Sequence, residues 1–240
     1  MVKAFQSQQT KLDYSPLHLY IEPTNNCQLR CSHCIQDKMT RPRGKISIKL
    51  YEKIVNECAE IGIPWVYLFL HGEPTLHPRL ADLIELTHEA GIEIRLHTNG
   101  LVDLTRYPPV EKLHISLNEG KDLHKIKNNL QRLRRDELPY TIDEIDGCSP
   151  DLEEQQYHKS LYNWHQPGKN MQGRCSQPYK TMAVLWDGRV VPCCVDYKPE
   201  LVIGEVGKMS LLDIWNSKEM LTVREGKFSL CSTCDMKRGL

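Results

Sequence analysis

The chain has 240 residues, 40% of them apolar, enough for one full α/β domain with a smaller appendage but crowded for two. Lysine plus arginine equals aspartate plus glutamate at 31 each, so no net field recruits nucleic acid or an acidic membrane surface. The longest apolar run, Trp65 to Leu70, is far too short to span a bilayer, and Met1 to Tyr14 lacks a signal peptide's apolar core, which points to a cytoplasmic protein with no membrane partner and with no nucleic-acid partner indicated.

Residues 1–16 read as a loose lead-in ending at Pro16. Leu17 to Glu22 alternates as a half-apolar strand should and delivers the chain to Cys27-Gln28-Leu29-Arg30-Cys31-Ser32-His33-Cys34. After a basic, proline-containing stretch at 38–45, Ser47 caps a helix carrying Ile48, Tyr51, Ile54, Cys58 and Ile61, with Gly62 as its stop. Trp65 to Leu70 is the second strand and runs into His71-Gly72-Glu73-Pro74; Leu80, Leu83, Ile84, Thr87 and Ala90 mark a helix stopped at Gly91. Ile92 to His97 makes a third strand ending in Thr98-Asn99-Gly100, Lys112 to Leu117 a fourth, and Leu123, Ile126, Leu130 and Leu133 a helix behind it. Tyr140 to Asp146 fits a fifth strand, while 147–174 holds only a short helical stretch.

Strands alternating with helices imply parallel βα units. The expected fold is therefore α/β: a partial, trimmed parallel βα TIM-like barrel over 17–174. Over 175–240 the character changes. Thr181 to Trp186 and Arg189 to Cys193 flank Asp187-Gly188, the signal of a tight hairpin, and Ser210 to Asp213 opens a short helix. The extension is a small β-hairpin plus helix.

Strand parity separates two faces. One carries Leu17, Leu19, Ile21, Val66, Leu68, Leu70, Ile92, Ile94, Leu96, Leu113, Ile115 and Leu117, and must lie under the helices. The other carries His18, Tyr20, Glu22, Tyr67, Phe69, His71, Arg95, His97, Asn99, Lys112, His114 and Ser116. That lumen is polar and rich in histidine, so it should hold water, internal hydrogen bonds or a polar ligand.

Ten cysteines in a reducing compartment are metal ligands before they are disulfides. Cys27, Cys31 and Cys34 supply three thiolates, not the four of a structural zinc or electron-transfer site, which suggests an iron-sulfur cluster with one iron open to an exchangeable ligand. A zinc knuckle completed by His33 is the other reading. Cys58, on an apolar helix face, reads as core, and Cys148 as a loop thiol.

The C-x3-C-x2-C trio after a strand, followed by the strand-loop-helix series, resembles the radical S-adenosylmethionine (radical SAM) superfamily over residues 17 to about 135. The resemblance implies that Cys27, Cys31 and Cys34 bind three irons of a [4Fe-4S] cluster, that SAM chelates the fourth, and that its cleavage yields a 5′-deoxyadenosyl radical that takes hydrogen from substrate. Gly72, Glu73 and Pro74 match the family's Gly-Gly-Glu-Pro turn for the SAM amino group, whereas His71 departs from it. Ser116 corresponds to a serine at the SAM ribose and His33 to an aromatic position near the adenine; Asn99 joins this cofactor-binding set. The family's arginine after the fourth strand has no counterpart in Gly120 to Lys125.

Cys175, then Gly188 and Cys193 in a G-x4-C spacing, then Cys231 and Cys234 resemble the SPASM or shorter Twitch extension, implying one auxiliary [4Fe-4S] cluster because the chain stops six residues after Cys234. Cys194 competes with Cys193 as ligand, and a four-cysteine zinc ribbon is the alternative. His97 and His114 are candidate substrate contacts or neighbours of hydrogen abstraction; they also fit a satisfied polar core. The expected activity is radical SAM oxidation of a small polar substrate, of the alcohol or aminocyclitol dehydrogenation type, with the auxiliary cluster as electron acceptor and a donor such as flavodoxin or ferredoxin. Maturation of a ribosomal peptide is the second reading, weakened by the few residues before Cys27. A non-catalytic zinc or electron-transfer protein is the third.

Overall fold

The computed structural model describes residues 1–31, 34–117, 123–135, 142–147 and 175–234. Its strands form one sheet in the order β5-β4-β3-β2-β1-β6-β7-β8. The first five are β1 (His18–Ile21), β2 (Trp65–Leu68), β3 (Glu93–Thr98), β4 (Lys112–Leu117) and β5 (Ile142–Gly147), each parallel to its neighbour. β6 (Thr181–Val184) then lies parallel to β1 on its other side, with His18 opposite Thr181 and Ile21 opposite Val184. β7 (Arg189–Val191) and β8 (Gly204–Glu205) follow antiparallel, so the C-terminal hairpin continues the sheet of the βα units.

The helices form where their caps and apolar spacing allow. In α2 (Ile48–Glu60), the Ser47 hydroxyl accepts the Leu50 N–H at 3.2 Å, and Gly62 takes the left-handed turn that ends it, with φ of 73°. α3 (Leu80–Glu89) and α4 (Leu123–Arg135) follow β2 and β4. The face that parity assigned to the helices is sealed: Leu19, Ile21, Val66, Leu68, Ile94, Leu96, Leu113 and Ile115 are at most 2% exposed. Tyr51, Ile54, Val55 and Cys58 of α2 join this core, and burial pushes the Cys58 thiol well up.

Two features differ from the sequence reading. The lead-in is folded rather than loose: α1 (Val2–Gln6) buries Ala4, and Leu12 is clamped by Asn216, whose Oδ1 accepts the Leu12 N–H while its Nδ2 donates to the Leu12 carbonyl, both at 2.9 Å. Asn216 ends α5 (Leu211–Trp215), and Trp215 Nε1 donates to the Tyr14 carbonyl at 2.8 Å. The apolar pattern of residues 1–16 is too sparse to announce a partner 200 residues away. Second, β2 ends at Leu68, so alternation does not carry to Leu70, which packs instead with Ala183, Leu185 and Val191 beside Tyr20 and Cys194. Tyr140, Cys148 and the stretch 148–174 lie outside the described residues. No described helix is long and apolar enough to cross a membrane.

Candidate functional site

The cluster loop begins where β1 ends, and its flanks are tied down by polar side chains. Buried Asn25 donates from Nδ2 to the Pro42 carbonyl at 2.8 Å and accepts the Gly44 N–H on Oδ1 at 2.8 Å, closing the loop 24–44 at its base. Arg43 donates to the Asn25 carbonyl at 2.6 Å, to the Gln36 carbonyl at 2.9 Å and to the Gln36 side-chain oxygen. Between these ties Cys27, Cys31 and Cys34 are half-buried thiols without a disulfide. The Leu29 N–H points at Cys27 Sγ, 3.5 Å away, and the Cys34 N–H donates to the Cys31 carbonyl. Burial pushes the Cys34 thiol up, against the backbone N–H groups of Gln36 and Ile35, which favour a thiolate. Among the described residues no three Cys, His, Asp or Glu side chains gather about one point as a single ion would need; a cubane spreads its cysteines over different irons. His33 lies outside the described residues.

The Gly72-Glu73-Pro74 turn is pressed onto the start of this loop. A Cβ on Gly72 would meet the Thr24 carbonyl oxygen at 2.2 Å and that of Asn26 at 2.7 Å, and the Glu73 N–H donates to the Asn26 carbonyl at 2.7 Å. Glu73 is buried, and Pro74 starts a short 3-10 turn that its carboxylate caps. Oε1 accepts from the Thr75 N–H at 3.1 Å, the Thr75 hydroxyl at 2.7 Å and the Thr98 hydroxyl at 2.7 Å; Oε2 accepts the Asn99 N–H at 2.7 Å. Glu73 thus braces the loop after β2 to the loop after β3. Asn99 Oδ1 accepts the Leu101 N–H, which leaves its buried Nδ2 without a partner. A close-fitting glycine and an orphaned amide donor beside a thiol loop fit a polar cofactor such as SAM.

On the open face, rings form a lattice rather than a scatter of polar groups. His18 stacks on Trp65, Tyr20 on Tyr67 at 4.8 Å, Phe69 on His97 at 4.1 Å, and His97 on His114 at 4.3 Å between centroids. Register explains the last pair, since His97 lies directly opposite His114. The Arg95 guanidinium sits 4.4 Å above the Trp65 ring and donates to the Tyr67 hydroxyl at 3.0 Å. Burial, then Arg95 and Lys180, lower the His18 pKa to about 4, so it is neutral in the fold near pH 7. These residues and Ser116 are half-buried.

Farther along, the Cys193 thiol is raised well above its ordinary value by burial, with Cys194, Cys231 and Cys175 adding to the rise. Cys193 is therefore within electrostatic reach of Cys175 and Cys231. Cys231 and Cys234 lie on and just after α7 (Ser229–Thr233), which follows α6 (Lys218–Arg224). Cys194 packs the other way, against the Leu70 cluster beside Tyr20.

Sequence reasoning missed one group entirely. Glu22, fully buried at the end of β1, receives both Arg41 NH1, at 2.6 Å, and Arg41 NH2. His71 Nδ1 lies 2.9 Å from Arg41 NH2 and 3.2 Å from Glu22 Oε1, while its Nε2 donates to the Cys194 carbonyl at 2.8 Å. Arg41 Nε reaches the Tyr197 carbonyl at 3.2 Å. Burial would raise the Glu22 carboxyl, but hydrogen bonds from His71 and Arg41 hold it at about 2. The signals were Glu22 and His71 together on the lumen face and His71 in place of glycine.

A trio of thiols at the C-terminal edge of a parallel sheet, locked to a turn whose glutamate holds the loop with the unpaired Asn99 amide, defines a cluster-dependent enzyme on a trimmed α/β barrel. The chain belongs to the radical SAM superfamily: the model of that superfamily matches residues 21–144, and that of the SPASM iron-sulfur cluster-binding domain matches residues 175–235. The chain is 24% identical over 237 residues to the S-adenosyl-L-methionine-dependent 2-deoxy-scyllo-inosamine dehydrogenase of Niallia circulans, covering 90% of this chain and 91% of that protein. It is 31% identical over 84 residues to the tungsten-containing aldehyde ferredoxin oxidoreductase cofactor-modifying protein of Pyrococcus furiosus, a match spanning only 24% of that protein. Among solved structures, BtrN in complex with AdoMet and 2-DOIA superposes with a TM-score of 0.72 at 19% identity, covering 93% of this chain and 94% of that one. The enzyme anSMEcpe with bound AdoMet and the Cp18Cys peptide gives 0.59 at 15% identity, covering 91% and 88%. The shared fold is the trimmed barrel expected from the sequence. Membership brings a SAM-binding [4Fe-4S] cluster, SAM itself and an auxiliary cluster.

Proposed function

We propose that this chain is a radical SAM dehydrogenase of a small polar alcohol, with Cys27, Cys31 and Cys34 holding the SAM-binding cluster and Cys175, Cys193, Cys231 and Cys234 the auxiliary one. The observation that carries it is the Glu73 brace, which joins the turn on the cluster loop to Thr98 and Asn99, directly after His97 on β3. One end of that brace serves the cofactor and the other the substrate. When bound, the cluster and SAM supply an electron and a hydrogen-abstracting 5′-deoxyadenosyl radical. The protein's own residues do the rest. Gly72 lets the turn approach the loop, Asn99 Nδ2 and the remaining lone pair of Glu73 Oε2 receive the SAM amino acid end, and Ser116 faces its ribose. His97 and His114, stacked on the open face, position the substrate hydroxyl and limit water around the reacting carbon. Oxidation of an alcohol to a carbonyl would also release an electron and a proton, and an auxiliary cluster held by Cys175, Cys193, Cys231 and Cys234 would supply an acceptor for that electron. A flavodoxin or ferredoxin supplies the electron for SAM cleavage.

Cys193 is the better auxiliary ligand because it lies within electrostatic reach of Cys175 and Cys231, whereas Cys194 packs against the Leu70 cluster. A second reading, modification of a peptide, draws on the peptide-bound relative. Anaerobic reconstitution tests both. Iron should reach about eight per chain, four for each cluster, reduced protein should release 5′-deoxyadenosine, and Cys27→Ala should abolish that release. Retention of zinc alone with no SAM cleavage would sink the proposal. A polyol or aminocyclitol that stimulates cleavage selects the first reading, and a cysteine- or tyrosine-containing peptide the second.

A further inference from the structure

The Glu22, Arg41 and His71 side chains are 0%, 3% and 2% exposed, and each comes from a different segment: the end of β1, the cluster loop and the turn after β2. A buried ion pair is by itself a weak source of stability, because desolvation offsets much of the attraction. What distinguishes this group is where its spare donors go. His71 Nε2 donates to the Cys194 carbonyl and Arg41 Nε to the Tyr197 carbonyl, the two residues that bracket the turn immediately after Cys193. Glu22 Oε2 accepts the Trp186 N–H at 3.2 Å, at the start of the tight turn leading into β7. His71 is also anchored from behind, since its own carbonyl accepts from Gln36 in the cluster loop. Inside the turn, Asp196 is buried and accepts the Glu200 and Leu201 N–H groups at 2.8 and 3.0 Å, tying the segment together.

We infer that Glu22, Arg41 and His71 form a positioning cluster that fixes the Cys193–Tyr197 turn, and with it the auxiliary cluster, against the SAM-binding turn and the first cluster's loop. The inference rests on the reading of Cys193 as an auxiliary ligand. Its physical content is a fixed separation: the same histidine that follows β2 beside Gly72 holds a backbone carbonyl one residue from Cys193. A glycine at position 71 would leave the Cys194 carbonyl without its donor.

The test uses the full chain with Cys27, Cys31 and Cys34 all changed to alanine, so that only the auxiliary cluster is loaded. His71→Gly should speed hydrogen exchange of the 193–201 amides about tenfold, the worth of one good hydrogen bond. It should also change the electron paramagnetic resonance line shape and midpoint potential of the auxiliary cluster. His71→Gln, whose amide can still donate to the Cys194 carbonyl, should recover most of both. Exchange and spectrum unchanged in His71→Gly would overturn the inference, as would faster exchange with an unaltered spectrum. If His71→Gly lowers melting so far that the protein does not fold, Arg41→Lys, which keeps the charge but loses the second branch of the fork, carries the same readouts. A parent protein with no auxiliary signal would overturn Cys193 as ligand, while exchange in the two variants still decides whether the turn is held.

Discussion

Gly72 is where the absence of a side chain does the most. The nearest atoms to its missing Cβ are backbone atoms of Thr24, Asn25 and Asn26, all under 3.0 Å, and backbone cannot step aside as a side-chain tip can. Gly72→Ala should therefore push the SAM-binding turn off the cluster loop, costing about 1–3 kcal/mol as overpacking does. The check is a paired measurement: the urea midpoint should drop and 5′-deoxyadenosine release should fall more than stability does. His18 offers a separate test through pH. Its pKa is about 4 in the fold against 6.5 when free, so between those values the unfolded chain binds more protons and stability rises with pH. His18 should thus cost stability progressively as pH falls from about 6.5 to 4, by about 3 kcal/mol in all. Glu22, held at about 2 against 4.5, adds its own loss only in the lower window between those values. His18→Phe, which keeps a ring against Trp65, should flatten the upper window alone in unfolding titrations.

At the scale of elements, the loops after β2 and β3 are one structure because Glu73 spans them. Glu73→Gln keeps the shape but loses the charge and an acceptor, leaving Thr75, Thr98 or Asn99 short of a partner. It should destabilise the fold by roughly 1–3 kcal/mol as well as weaken SAM cleavage, seen as a lowered urea midpoint; normal stability with only cleavage lost would show that Glu73 serves the cofactor without bracing the loops. The strands, the Ser47 cap and the Asp187-Gly188 turn were legible in the sequence because each is written in neighbouring residues. So were the cysteine trio and the Gly-Glu-Pro turn, whose residues are contiguous. What escaped was set by distance along the chain. Parity describes a strand only while it remains one, so it misplaced Leu70 just past Leu68. A pattern of alternating residues also cannot say that lumen histidines satisfy one another by stacking, which depends on the register of β3 on β4.

Across the whole molecule, the C-terminal segment is structural as well as functional. β6 covers the edge of β1 opposite β2, the Glu22 N–H donates to the Val184 carbonyl, and Trp186 caps the Glu22 carboxylate through its backbone. The N-terminal residues close the same arrangement from behind: Asn216 clamps Leu12, Trp215 holds the Tyr14 carbonyl, and Arg224 reaches the Thr10 carbonyl at 2.8 Å while stacking on Trp215. A chain cut after residue 174 would expose the β1 edge as an unpaired ladder and uncover Ala4, Leu12 and the buried Glu22 carboxylate, leaving Arg41 and His71 as its charge partners without the carbonyls they hold. An open apolar edge of that kind pairs with other chains. The expected outcome for the 1–174 fragment is loss of the cooperative melt by circular dichroism and large species in sedimentation. A monomeric fragment that melts cooperatively and still binds iron through Cys27, Cys31 and Cys34 would show that the βα units stand alone and that the C-terminal strands are an addition to a finished sheet.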